Sequence, residues 1–303
     1  MRSKSFMRSM AGIAAVVAMT MAGLTTAEPA SAATASRLVG LDGNAGQRAA
    51  ILARDAVAVA DWYFPTDAAS ADGVIWLQQD GTGSSSSFVR LATELAKQTN
   101  SLVVAPKFRS VTKPGGGVSA EQLTMAVAQF FVGDRLALMS SANAAGYQGS
   151  LPDKFLLVGL GKGGGFVTNA GGFTTDNGAA VNLLGVVMID GMVKEDQFVP
   201  ALSKLDTVGI PAYQIAGPNH GVADPKGGTA RLLTERHPSQ FVGIQMPLKN
   251  TGAVISASAG WINDIYAGNG PTDPRYGVYG NPNDGTYVPG QTFMIGRIKA
   301  KVL

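Results

Sequence analysis

Six stretches of this chain are nearly continuously apolar, where a half-exposed strand would alternate: Gly73–Gln78, Ser101–Ala105, Phe155–Val158, Leu183–Ile189, Ile210–Ala216 and Phe241–Met246. A strand with one wet face shows period two, so unbroken apolar runs of this length demand burial on both faces. Helical spacing separates several of them. Phe88, Leu91, Ala92, Leu95 and Ala96 share one helix face, with a serine of the Ser84–Ser87 run available as N-cap. Ser119 and Gln122 stand at capping-box spacing and predict a long helix reaching toward Ser140. Further helices are predicted over Asn44–Ala60, around Ala230–Arg236 and over Ala253–Tyr266. Buried strands alternating with helices predict an α/β fold, a mostly parallel sheet of six to eight strands covered by helices on both faces.

Polar intervals punctuate this pattern. Gln79–Gly83 leads into the four serines, Lys113–Gly117 reads as a loop, and Pro106 is expected to stop the second strand. Gly171–Ala180 reads as a polar excursion with turn signals at Thr175-Asp176-Asn177-Gly178. Residues 268–292 are rich in glycine, proline and asparagine and read as a loop before a last apolar segment, Phe293–Leu303. No internal repeat is visible, and residues 33–303 are read as one domain.

The most informative stretch is Lys154–Asn169. The strand Phe155–Val158 runs into five glycines within seven residues, and a helix is expected to start at Phe166. Strand, tight glycine turn and helix is the setting of a nucleophile elbow, Gly-x-Ser-x-Gly. Here the five positions are Gly159-Leu160-Gly161-Lys162-Gly163, with glycine in the serine's place.

These residues, with Gly73–Gln78 and its glycine-serine loop and with Gly260-Trp261-Ile262-Asn263-Asp264, resemble a secreted actinobacterial, mycobacterial-type branch of the α/β-hydrolase fold whose members are esterases and lipases. The resemblance implies ester substrates, a serine–histidine–acid triad and an oxyanion loop after the first of these strands. This chain departs from that pattern three times. It has Asp80-Gly81 where the family usually has His-Gly, and Gly161 for the serine. It also has no histidine after Phe241–Met246, where the family's base is expected. The acid corresponds either to Asp190 or to the loop Asn219–Asp224. Serine, histidine and acid work as a unit, so a chain without the nucleophile is expected to have lost the reaction. The expected role is then binding of a lipid, acyl or other cell-envelope ligand. The alternative is an active hydrolase with a non-standard site, such as Ser84–Ser87 with His220.

Among single residues, His220 sits in Gly217-Pro218-Asn219-His220-Gly221, at the carboxyl end of a predicted strand where open α/β sheets bind ligands. The family's chain order makes an ordinary loop histidine the plainer reading and a rescued base the sharper one. His237 precedes Pro238 at a helix end and has a structural reading. Lys162 at a glycine turn, beside the backbone of Gly163, either helps hold an anion or is simply solvated. Asp80, Gly81 and Thr82 complete the binding candidates, and Asp80 is expected to pair with Lys162 if their loops meet. Gly159-x-Gly161-x-x-Gly164 also fits a dinucleotide fingerprint, the basis of a second alternative, a nucleotide-binding oxidoreductase. Its acidic partner should follow about twenty residues on. Asp190 comes 26 after Gly164.

Composition narrows the classes further. Arg2, Lys4 and Arg8, the apolar run Met10–Leu24 and the small residues around Ala30–Ala32 form a secretory signal peptide, residues 1–32. Export to the medium or cell envelope follows, with no membrane span expected after cleavage. Removing those three basic residues together with Glu28 lowers the net charge from +3 to about +1, and no basic stripe is left for a nucleic acid. There is no cysteine, which excludes disulfides and thiolate catalysis. The two histidines lack the spacings of a metal site, and no cofactor is implied.

Overall fold

The computed structural model describes residues 39–40, 59–80, 85–107, 120–221, 228–249, 251–268, 293–296 and 301–302. The signal peptide, most of the predicted Asn44–Ala60 helix, the Lys113–Gly117 loop, Gly81, Thr82 and nearly all of 268–292 lie outside these residues. The described strands are β1 (Val39–Gly40), β2 (Val59–Tyr63), β3 (Gly73–Gln78), β4 (Ser101–Lys107), β5 (Phe155–Leu160), β6 (Leu183–Ile189), β7 (Ala212–Ala216), β8 (Phe241–Gln245), β9 (Phe293–Gly296) and β10 (Lys301–Val302). They form one sheet in the order β1-β2-β4-β3-β5-β6-β7-β8-β9-β10. The six central strands, β4 to β8 with β3 among them, are parallel. β2 joins them antiparallel on one side and β9 on the other.

Both faces of the sheet are covered, which is why its strands are apolar throughout. Along β3, Val74 and Trp76 face one core while Ile75 and Leu77 face the other, and all four are fully buried. The described helices are α1 (Ser86–Gln98), α2 (Ala120–Gln129), α3 (Leu136–Ala144), α4 (Lys162–Asn177), α5 (Glu195–Thr207), α6 (Thr229–Arg236) and α7 (Thr251–Tyr266). Helices α1 and α7 pack on the Ile75 face, where Leu95 and Trp261 are buried. Helices α2, α4 and α5 cover the Trp76 face. There Phe131 stacks on Phe155 with ring centroids 3.9 Å apart, and Trp62 donates its indole N–H to Ser141 at 2.9 Å.

Several boundaries differ from the sequence reading, each for a local reason. The expected mostly parallel sheet is present, extended at its rims by the two-residue strands β1 and β10, which carry little pattern, and Val59 and Ala60 belong to β2 instead of a helix. β4 continues through Pro106, which pairs with Ala60 beyond the end of the β3 ladder and so forfeits no central hydrogen bond. The predicted helix from Ser119 is two helices, broken where Gly133 and Arg135 take positive φ of 60° and 50°. The Arg135 guanidinium fixes that break by donating to the carbonyls of Leu151 and Pro152 and pairing with Asp153.

The largest correction concerns α4, which starts at Lys162 instead of Phe166 and runs through the supposed excursion to Asn177. Its glycines are there for close packing. A Cβ on Gly172 would lie 3.0 Å from the Cα of Ala201, and one on Gly171 would lie 3.3 Å from Leu205 and Val186.

Candidate functional site

The site is built at the carboxyl ends of three neighbouring strands, β5, β6 and β7, which lie about 5 Å apart in a sheet. Strand β5 leads into Gly161, whose φ of 54° and ψ of −124° make the sharp strand-to-helix turn that presents an elbow residue. Its N–H donates to the Ile189 carbonyl at 2.9 Å, and its own carbonyl accepts from Gly164 and Met192. The flanking glycines are dictated by backbone. A Cβ on Gly159 would fall 2.2 Å from the Gly163 carbonyl oxygen, and one on Gly163 would fall 2.4 Å from that of Gln78. Gly161 differs. A Cβ there would first meet the Asp80 side chain, Oδ2 at 2.9 Å and Cβ at 3.0 Å. The turn is closely packed on both flanks, and the Asp80 carboxylate stands over Gly161.

The other two strand ends supply a carboxylate and an imidazole. Asp190, just past β6, takes a positive φ of 53°, an uncommon conformation for a residue with a side chain. Its Oδ1 accepts from the Gly217 N–H at 2.9 Å. Its Oδ2 lies 2.9 Å from Nδ1 of His220, which closes a short 3-10 turn, Pro218–His220, after β7. The ring N–H is not aimed along that line, so this is a close polar contact and not an aligned hydrogen bond. Both side chains are roughly three-quarters buried. A carboxylate against Nδ1 favours the tautomer whose Nε2 is the free base, the arrangement a general base needs.

His220 also borders a cleft of about 1090 Å³ that follows the outer face of α4. Lys162, Phe166, Asn169, Phe173, Val193 and Lys194 are among its lining. The Oδ1 atom of Asn169 is buried there without a hydrogen-bond partner. Such a volume suits a small molecule or a single lipid chain.

The structure therefore joins two residues that sequence reasoning had kept apart. His220 lies 2.9 Å from Asp190, and Asp224, the other carboxylate the sequence offers, lies outside the described residues. The resemblance places the family's histidine after β8, whereas the histidine beside Asp190 follows β7. The legible signal was that Asp190-Gly191 and Asn219-His220-Gly221 end successive apolar strands. Lys162 opens α4 and is exposed, but no ion pair joins it to Asp80 among the described residues, because Asp80 leans over Gly161 instead. Gly163 is held by packing against Gln78. His237 sits at the end of α6, 3.2 Å from Asp206, as its structural reading expected. Ser85 caps α1 by accepting from the Phe88 N–H, and Ser85 and Ser87 bond to each other, so neither is tied to an imidazole. Asp190, the acid of the dinucleotide reading, accepts from the Gly217 N–H through Oδ1 and has Oδ2 beside His220. Of the cleft residues on α4, Phe166 and Asn169 fall in the expected helix, whereas Phe173 falls in the Gly171–Ala180 stretch that reads as a polar excursion.

A parallel sheet with an antiparallel second strand, an elbow after β5 and a carboxylate and histidine after the following strands is the α/β-hydrolase fold. Solved structures similar to the chain include an esterase from the archaeon Pyrobaculum calidifontis, 14% identical over 76% of this chain and 84% of its own, with a TM-score of 0.47. Brefeldin A esterase, a bacterial homologue of human hormone-sensitive lipase, is 13% identical over 69% of this chain and 73% of its own, with a TM-score of 0.46. Dienelactone hydrolase from Anabaena variabilis is 14% identical over 77% of this chain and 97% of its own, with a TM-score of 0.49. At these values the fold assignment rests on strand order and turn geometry. No protein-family model and no curated protein matches the chain.

Proposed function

We propose that this protein is an exported α/β-hydrolase-fold binding protein that holds a lipid, acyl or other cell-envelope ligand in the cleft along α4 without cleaving it. One observation carries the reading: Gly161 has the backbone of a nucleophile elbow and no nucleophile, with Asp80 standing over it. A triad lacking its serine retains only what backbone donors and binding supply, on the order of a thousandfold over water. The test is hydrolysis of short-chain p-nitrophenyl esters by the mature protein. Release no faster than from a heat-treated blank, with acyl compounds raising the melting temperature, supports binding. Turnover that disappears in His220→Ala overturns it.

A second reading, an active hydrolase of non-standard constellation, draws on the Asp190–His220 pair as base and orienter, which has no serine partner among the described residues. A fluorophosphonate probe separates the two, because it labels an activated serine and spares a structural one. Export is tested by the N-terminus of the protein recovered from the medium, expected at Ala33.

A further inference from the structure

The cleft is elongated and its two ends differ. From Lys162 to Phe173 along α4 it covers roughly 16 Å at 1.5 Å per residue. Phe166, Phe173, Val193 and Pro200 make much of its wall apolar. At the far end Lys204 is neutralised by Asp176 at 2.5 Å and lies over the Phe173 ring. Near the elbow the charges are arranged differently. Glu121 and Asp196 also line the cleft, but each sits in the first turn of its own helix, where a carboxylate offsets the helix dipole. Lys162 and Lys194 do the opposite. Lys162 is the first residue of α4, whose first turn holds no acidic residue, and Lys194 is the N-cap of α5. A cation at either place works against the helix dipole. Neither lysine has a carboxylate partner within 4.0 Å among the described residues. Both lie beside the elbow, since the Met192 N–H donates to the Gly161 carbonyl two residues before Lys194. Two cations set against local electrostatics, facing one cavity, mark a place where a ligand's negative charge completes the site.

We infer that the cleft takes a single-chain amphiphile with an anionic headgroup, of the alkyl carboxylate kind, its head between Lys162 and Lys194 beside His220 and its chain over Phe166 toward Phe173. This rests on the acyl-binding reading above and adds the sign of the head and the direction of the chain. An uncharged ester of equal length lacks the charge those lysines await.

The experiment is displacement of fluorescent cis-parinaric acid from the full mature protein by laurate, methyl laurate, dodecyltrimethylammonium or acetate, below micellar concentrations. Laurate is expected to displace at a concentration at least about tenfold lower than methyl laurate, a difference of about 1.4 kcal/mol, with no displacement by the ammonium or by acetate. Lys162→Gln with Lys194→Gln should abolish that preference, raising the laurate concentration needed to that of methyl laurate. Equal displacement by acid and ester, displacement by the ammonium or by acetate alone, or a preference that survives both substitutions overturns the headgroup assignment while leaving an acyl cleft in place. Absence of binding by parinarate and methyl laurate alike overturns the acyl-cleft reading itself, and the headgroup with it.

Discussion

Restoring a serine at position 161 is the sharpest perturbation the site allows. The introduced side chain would inherit φ of 54° and ψ of −124°, a region costing a non-glycine residue on the order of 1–3 kcal/mol. Its Cβ would also lie 2.9 Å from Asp80 Oδ2, so the carboxylate must swing away. Asp80 lies just past β3 and is exposed, which makes that movement inexpensive compared with the backbone strain. Gly161→Ser alone should therefore lower the melting temperature by several degrees, at about 2–4 °C per kcal/mol for a domain of this size. Adding Asp80→Ala should recover only the crowding by the carboxylate, a minor part, because the alanine keeps the Cβ that lies 3.0 Å away. The double variant would then place a hydroxyl at the elbow with the Asp190–His220 pair on the next two strands. It is expected to be labelled by a fluorophosphonate probe where wild type is not, and to lose labelling on His220→Ala. A folded double variant that stays unlabelled refutes the reasoning, because the nucleophile would not then be the missing part.

Three other expectations follow from the packing and from titration. Gly163→Ala should cost several times more than an exposed alanine change, about 3 kcal/mol, because the clash is with the Gln78 carbonyl and neither backbone can retreat; thermal denaturation reads this directly. Ser141→Ala leaves the buried Trp62 indole N–H without its acceptor and should cost about 1–3 kcal/mol by urea denaturation. Burial, with Asp61 adding to it, pushes the Tyr63 hydroxyl up to about 12, and burial pushes Tyr213 to about 12. A raised tyrosine keeps its full contribution below the ordinary value near 10 and loses it as pH rises through 12, so stability should fall between about pH 10 and 12. Tyr63→Phe should lessen that alkaline loss because it removes one titrating hydroxyl, and should cost little at neutral pH because that hydroxyl has no hydrogen-bond partner among the described residues; tyrosinate absorbance measured with the unfolding curves checks both points.

The sheet was legible because continuous apolar runs have few other uses. Leu183–Ile189 and Phe155–Val158 could hardly be anything but strands buried on two faces, and their observed bounds match or extend the reading. The elbow was legible for a related reason, since glycines at 159 and 163 are required by contacts that any such turn must make. What could not be read was α4. Gly171 and Gly172 look like turn residues by propensity, yet they are contact residues, and only the approach of Ala201 and Leu205 reveals it. With the second half of the helix reading as an excursion, the face that carries Phe166, Asn169 and Phe173 together along one cleft was not legible. The Asp190–His220 pair was half legible. Each residue was noted at a strand end, but their contact is a tertiary fact set by β6 and β7 being neighbours.

The central claim is that the elbow presents bare backbone beside the cleft, so a bound ester should persist uncut. The most direct measurement is a single-turnover experiment with excess wild-type protein and a p-nitrophenyl alkanoate, followed by intact-protein mass and product absorbance together. The account predicts saturable protection of the protein, unchanged protein mass and ester recovered whole. A stoichiometric burst of p-nitrophenol with an acyl adduct on the chain, both lost in His220→Ala, would contradict it.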